Sequence, residues 1–173
     1  MVEPHKIFNK DKALEYLLEQ YGDSVKKLAY TYVKDWSLAE DIAQEVFLTS
    51  YRNWDSFRGE CSYKTWLFKI TVNKCKDTYK TKWFNVQHLF ETLSFKLKST
   101  SSTEQEVILK SESRELSEHV LQLPIKYREI IILFYYEELK IKEIQELTGL
   151  KVDTIKSRLK RGKEKLRQMY RGE

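Results

Sequence analysis

A stripe of basic and amide side chains lies within the segment 62–82. Its members recur at offsets of 0, 4, 7 and 11, which is one side of an α-helix: Lys69, Asn73, Lys76 and Lys80. Apolar and aromatic residues border the stripe, namely Tyr63, Trp66, Leu67 and Ile70. Ammonium groups neutralise phosphates, and aromatic rings stack on unpaired bases. The pattern favours contact with a nucleic-acid strand, while Trp66, Leu67 and Ile70 also suit a helix core.

The loop before this stripe runs from Phe57 to Tyr63 and contains a glycine and several polar groups. A loop of this composition could form a pocket for a base turned out of a duplex. Tyr63, at the end of the loop, is therefore a candidate contact residue together with the lysines and Asn73.

A second candidate interface lies near the C-terminus, where the pattern predicts a short helix, a tight turn and a longer helix. Gly149 stands where the first helix must stop, because glycine accepts a positive φ without a Cβ clash. This is the spacing of a helix-turn-helix. The second helix has an apolar stripe of Val152, Ile155, Leu159, Leu166 and Met169, and its opposite face presents Asp153, Lys156, Ser157, Lys160 and Arg161.

The charge of that last helix is open to two interpretations, a solvated surface and a DNA-binding surface. Residues 151–171 hold nine basic and two acidic residues, an excess of +7, whereas the whole chain carries +5. A solvated face on an ordinary helical hairpin would explain the charge alone. The turn glycine, the two apolar stripes and the charge together predict a helix that enters the major groove of DNA.

An acidic patch precedes the stripe. Residues 35–60 hold six acidic and two basic residues, a net charge of −4. On a helix, Asp41, Gln44 and Glu45 face outward together, and Phe47 faces a different side. Charge alone favours a solubilising surface, although such a patch also suits a basic protein partner.

The elements that must position these residues are helices almost throughout. We predict helices over about 12–34, 37–53, 62–82, 104–121, 126–138, 141–147 and 152–169, with Ser37 capping the second one and Glu40 completing a capping box. Only five glycines and two prolines argue against a turn-rich β fold. The sequence predicts an all-α protein of two small helical domains, 10–84 and 105–170, joined by a flexible polar linker, 85–104.

Composition excludes some classes of protein. No apolar run approaches the ~20 residues that span a membrane, and residues 1–5 have no apolar signal core. We therefore expect a cytoplasmic protein whose Cys61 and Cys75 are reduced thiols. The cysteines could bind zinc together with His88 and His119, but their spacing matches no standard metal pattern.

At this point the chain resembles the extracytoplasmic-function (ECF) sigma factors of bacterial RNA polymerase. Four segments in order carry the resemblance: 39–47 resembles the family's polymerase-binding helix, 57–67 its melting segment, 70–77 its minus-ten-reading helix, and 123–128 with 152–159 its minus-thirty-five-reading domain. The match covers nearly the whole chain outside the linker and both tails.

The resemblance implies a role for each set of residues. Polymerase binding would fall to Asp41, Gln44, Glu45 and Phe47; minus-ten binding to Arg58, Ser62, Tyr63, Lys69, Asn73, Lys76 and Lys80; and minus-thirty-five binding to Asp153, Thr154, Lys156, Ser157, Arg158, Lys160 and Arg161. It implies no metal site and no catalytic residue, because polymerase performs the chemistry.

The implied partners are core RNA polymerase, through its β′ coiled coil and its β subunit, promoter DNA and an anti-sigma factor. No cofactor and no small-molecule substrate are expected. The alternative is an ordinary helix-turn-helix regulator with an N-terminal ligand or dimerisation domain. That alternative accounts for residues 120–170 equally well but not for the stripe beside the 57–66 loop.

Overall fold

A computed structural model describes residues 9–90 and 111–171 of the chain, and the side chains of 9–78 and 116–171. Every regular element within these ranges is helical, which confirms the predicted all-α class. The helices are α1 (Lys10–Val33), α2 (Trp36–Arg52), α3 (Tyr63–Phe90), α4 (Ser111–Gln122), α5 (Ile125–Ile131), α6 (Ile141–Thr148) and α7 (Val152–Arg171).

The N-terminal module is formed by α1, α2 and α3, which pack against one another. Each helix buries its apolar stripe in a common core that includes Leu17, Val25, Leu28, Tyr32, Ile42, Val46, Phe47, Leu67, Phe68, Val72 and Cys75. An ion pair ties α1 to α2, with Lys26 Nζ 3.0 Å from Glu40 Oε2. A second ties α2 to α3, with Lys74 Nζ 3.3 Å from Glu45 Oε2. These exposed pairs add little to stability, so the buried core is what holds the acidic helix against both neighbours.

The start of α2 differs from the prediction. Asp35, not Ser37, is the N-cap, because its Oδ1 accepts a 3.0 Å hydrogen bond from the Leu38 backbone N–H. Lys34, which ends α1, adopts the left-handed conformation with φ 55°. The chain reverses at this residue and at once presents the capping carboxylate.

The third helix is longer than predicted. It begins at Tyr63 and continues to Phe90, whereas the pattern predicts an end near Lys82. The first six residues of the predicted linker therefore extend α3. Residues 91–104 of that linker, and 105–110 of the predicted second domain, lie outside the described part of the chain.

The C-terminal module contains α4 to α7. Leu123 and Pro124 separate α4 from α5, as predicted, since proline cannot continue a helix interior. Buried Arg128 donates from Nη1 to the carbonyl oxygens of Leu121 and Leu123, which satisfies the end of α4. A π-helical turn, Ile132–Tyr136, follows α5 within the predicted helix 126–138. The α6–α7 hairpin turns at Gly149, which has φ 73° and confirms the predicted turn position.

The two modules contact each other in this structure, chiefly through α1 with α5 and α3 with α6. The hydroxyl of Tyr32 on α1 donates a 2.7 Å hydrogen bond to Glu129 Oε1 on α5. At the other side, Lys64 Nζ lies 2.9 Å from Glu137 Oε2. These polar contacts join helices of different modules. Helical periodicity predicts each helix separately and does not predict such contacts.

Candidate nucleic-acid interfaces

The stripe on α3 is present where its side chains are described. Lys69 and Asn73 are exposed, while Lys76 is 42% exposed and lies with its Nζ 3.3 Å from Glu129 Oε1. The side chain of Lys80 lies outside the described residues, although its backbone belongs to α3. The opposite side of the helix is core, because Leu67, Phe68 and Val72 are buried. One face of α3 thus carries cations toward solvent and toward the second module.

The loop before α3 is held by aromatic packing. A cluster of four rings closes it: Trp54, Phe57, Tyr63 and Trp66. Tyr63 stacks on Trp54 at 5.7 Å with an interplanar angle of 7°, and Phe57 lies 4.7 Å from Trp66. Stacked rings of this kind stabilise one geometry of the loop. Sequence reasoning did not single out Trp54, whose indole follows α2 in a short 3₁₀ turn, Trp54–Ser56, and is buried.

Arg58 and Ser62, two polar residues of this loop, make different kinds of contact. Arg58 is exposed, and its Nη1 is 4.0 Å from Glu60 Oε1, a surface pair that contributes little. Ser62 is exposed as well, but its Oγ accepts a 3.1 Å hydrogen bond from the Thr65 backbone N–H. Ser62 therefore caps the start of α3, a structural role in addition to the predicted one.

The acidic face of α2 is exposed, as the helical pattern predicts. Asp41, Gln44 and Glu45 are exposed. Phe47 is 5% exposed and belongs to the core of the module, on a different side of α2 from these three residues, so its part in polymerase binding stays a prediction. Leu48, which sequence reasoning missed, is 47% exposed on the same helix.

The long C-terminal helix is amphipathic in the predicted way. Ile155 and Leu159 are buried, while the opposite face exposes Asp153, Lys156, Ser157, Lys160 and Arg161. Thr154 is half-buried. Arg158 is 26% exposed and turns toward α5, with its Nη1 4.0 Å from Glu129 Oε2. The structure therefore places Arg158 at the edge of the basic face, next to the contact between the modules.

Cys61 and Cys75 are both free thiols. Burial raises the pKa of Cys75 to about 12, so this group stays protonated near neutral pH. Burial, then the nearby Glu146 carboxylate, also raises the pKa of half-buried Cys61. Within the described side chains no group of three or more His, Cys, Asp and Glu residues could hold a metal ion. None of the described helices is long and apolar enough to cross a bilayer.

Comparison with family models matches both modules. Residues 17–84 match the model described as Sigma-70 region 2, and residues 113–166 match Sigma-70, region 4. The ECF RNA polymerase sigma factor SigW of Bacillus subtilis is 32% identical, with 90% of this chain and 87% of that protein aligned. The ECF RNA polymerase sigma-E factor of Escherichia coli K12 is 30% identical, with 88% and 84% aligned.

Solved structures share the fold. The sigma factor RpoE of Bartonella quintana, solved in complex with the anti-sigma factor NepR, has a TM-score of 0.79 at 20% identity and covers 92% of this chain and 98% of its own. CnrH, solved with the cytosolic domain of CnrY, has a TM-score of 0.66 at 19% identity and covers 94% and 90%. Because the sequence relatives align across both modules, an ordinary helix-turn-helix regulator is disfavoured. This chain belongs to the ECF family of RNA polymerase sigma factors.

Proposed function

We propose that this sigma factor binds core RNA polymerase through α2, reads a minus-thirty-five element with α7, and engages and melts a minus-ten element with α3 and its preceding loop. One observation carries the proposal: each module exposes cations along one face of one helix, while α2 of the N-terminal module exposes an acidic face. The positively charged faces suit DNA, and the negatively charged face suits a basic protein surface.

The minus-thirty-five role rests on the first half of α7. Asp153, Lys156 and Ser157 are exposed within the first two turns of the second helix of a helix-turn-helix, which is the part that contacts base edges in this motif. Lys160 and Arg161 follow on the same exposed side and suit phosphates. Base contacts would supply specificity, and phosphate contacts would fix the register.

The minus-ten role rests on α3 and the ring cluster. Lys69 and Asn73 are exposed beside the loop that Tyr63 and Trp66 hold in place. Separating the two DNA strands costs a few kcal/mol for each base step that is disrupted. Lysine contacts to the backbone and capture of an extruded base in a pre-formed loop would offset that cost. The preformed loop lowers the entropy lost on binding.

The polymerase role rests on the outward carboxylate and amide of α2. Asp41 and Gln44 are exposed, and Leu48 adds an exposed apolar group on the same helix. Specific protein interfaces commonly have a polar rim around an apolar centre, and an acidic rim would complement a basic partner. The β′ coiled coil is the expected partner of this face, and the β subunit the expected second contact.

We propose that the chain is not an enzyme and needs neither cofactor nor small-molecule substrate, because binding energy alone accomplishes these steps and polymerase performs the chemistry. Its work requires the compartment that holds the chromosome, so we expect a cytoplasmic location. The structure of RpoE from Bartonella quintana was solved with an anti-sigma factor. A comparable inhibitor is proposed for this chain.

The proposal is tested by gel filtration of the purified chain with sigma-free core RNA polymerase. A stoichiometric complex that survives the column supports it. A chain that elutes separately while still binding DNA would instead favour the helix-turn-helix regulator, which needs no tight contact with β′.

A further inference from the structure

One carboxylate lies between the two modules and holds groups from both. Glu129 on α5 is only 6% exposed. Its Oε1 accepts the 2.7 Å hydrogen bond from Tyr32 and lies 3.3 Å from Lys76 Nζ, both in the N-terminal module. Its Oε2 lies 4.0 Å from Arg158 Nη1 in the C-terminal module.

Two of these three partners belong to the proposed DNA-binding faces, one from each module. Lys76 is on the α3 stripe, and Arg158 is on α7. We propose that Glu129 is an internal substitute for a DNA phosphate, which holds the chain in a closed form and must release both cations before both modules can bind DNA. This inference rests on the proposed function, because it assigns regulation to the same two faces.

Because Glu129 is buried, it can compete effectively with DNA phosphates for Lys76 and Arg158. A buried carboxylate is costly unless it is paired and hydrogen-bonded, so Glu129 retains its partners as long as the modules stay together. Salt screens buried pairs less than exposed ones. A cation that pairs with Glu129 is not available at full strength to a phosphate. The apparent dissociation constant for DNA therefore equals the intrinsic constant divided by the fraction of open chains.

The interface around Glu129 is not continuously packed. A cavity of about 440 Å³ adjoins the carboxylate and is lined by Tyr32, Lys76, Ile125, Lys126, Glu129, Leu150 and Arg158. The two modules are therefore not in continuous contact on this side, where the contacts of Glu129 bridge them. The pair Lys64–Glu137 closes the other side without using a residue of the α7 face. The contacts of Glu129 and the pair Lys64–Glu137 are therefore the polar contacts that must break when the modules separate.

The first test is Tyr32→Phe, which removes a hydrogen bond to Glu129 without changing the net charge. Its matched control is Tyr30→Phe, since Tyr30 lies on the same helix but stacks on Trp36. The probe is a labelled random-sequence duplex, titrated by fluorescence anisotropy with the full chain and no polymerase. We expect Tyr32→Phe to bind about tenfold more tightly, from the usual strength of a hydrogen bond to a charged group, and the control to bind as the unaltered chain.

The second test is Glu129→Gln against Glu164→Gln, which changes the charge equally at an exposed position of α7. Glu129→Gln should tighten duplex binding more than Glu164→Gln. It should also raise the radius of gyration in solution scattering, because the modules separate. Thermal melting followed by circular dichroism checks that each variant is folded. If Glu129→Gln unfolds, the comparison of Tyr32→Phe with Tyr30→Phe decides the matter.

The outcomes separate this inference from the proposed function. Equal duplex affinities for Glu129→Gln and Glu164→Gln, or an unchanged radius of gyration, overturn the inference. A more open chain that binds DNA no better also overturns it, because competition would then be absent. Failure to bind core polymerase would instead refute the proposed function, and the scattering and duplex measurements would be unaffected by that failure.

Discussion

A Cβ atom on Gly162 of α7 would lie 3.0 Å from Cγ1 of Ile131 on α5. Real Cβ atoms essentially never approach closer, and Ile131 is itself buried, so it has little room to move. The C-terminal module therefore uses the missing side chain to bring α7 close to α5, and with it the basic face that α7 carries.

Gly162→Ala should destabilise the chain by about 1 kcal/mol, since overpacking costs more than the better helix propensity of alanine returns. The control is Gly22→Ala in α1, where no atom lies within 4 Å of the added methyl group. That change should stabilise the chain by about 0.5–1 kcal/mol. Urea unfolding measures both free energies, and a stabilising Gly162→Ala would show that α5 and α7 are less closely packed.

Replacing Asp41 and Gln44 of α2 by Lys should abolish binding to core polymerase. Both side chains are exposed, so the fold should survive while the charge of the face is reversed. Glu45 is left unchanged because it pairs with Lys74. Co-purification with core enzyme measures the effect.

Glu19→Lys combined with Gln20→Lys is the matched control for that experiment. Both positions are exposed on α1, and the double change alters the net charge equally. The control should bind polymerase normally. Retention of the Asp41 and Gln44 double variant on core enzyme would refute the assignment of this face.

Replacing Lys156 and Arg161 of α7 by Ala should weaken duplex binding and flatten its dependence on salt. Each lost phosphate contact should lower the slope of log affinity against log salt by up to about 0.9. The control removes two exposed lysines of α1, with Lys12→Ala and Lys27→Ala. Equal slopes for both double variants would argue against α7 as the recognition helix.

The Cys75 thiol should make the fold sensitive to alkaline pH. Its pKa is raised from 9.0 to about 12 by burial, so the stabilising contribution is intact below pH 9 and is lost as pH rises from 9 toward 12. The slope for one such group is at most about 1.4 kcal/mol per pH unit. Urea unfolding at several pH values should show that the free energy of unfolding falls less steeply with pH in Cys75→Ala than in the unaltered chain. Parallel curves for the two proteins would contradict the assignment.

Local pattern was sufficient for the helices and their faces. Alternation at three and four residues separates exposed Asp41 and Gln44 from buried Ile42 and Val46, and Gly149 marks the turn of the hairpin. These features depend on residues within one or two helical turns of each other, and helical periodicity captures relationships over that range.

The start of α2 was less predictable because two residues can cap it. Ser37 is followed three residues later by Glu40, the pattern of a capping box, yet Asp35 makes the cap and Glu40 pairs with Lys26. The π-helical turn also has no residue signature. It closes with the Glu137 N–H on the Ile132 carbonyl at 3.0 Å, and packing of the apolar run selects it.

Contacts between the modules could not be predicted at all. Tyr32 and Glu129 are 97 residues apart, and a helical pattern reports only whether each is buried. The motif therefore predicts Arg158 as a DNA contact alone, and no local pattern points to Glu129. Which buried polar groups meet depends on tertiary packing.

Run-off transcription with sigma-free core RNA polymerase, on a library of genomic fragments, tests directly whether this chain directs initiation at promoters. Adding this chain should produce discrete transcripts from a small set of fragments that share two sequence elements upstream of the start. Absence of any site-specific transcript, with folding confirmed by circular dichroism and the polymerase shown to be active with another sigma factor, would contradict that role.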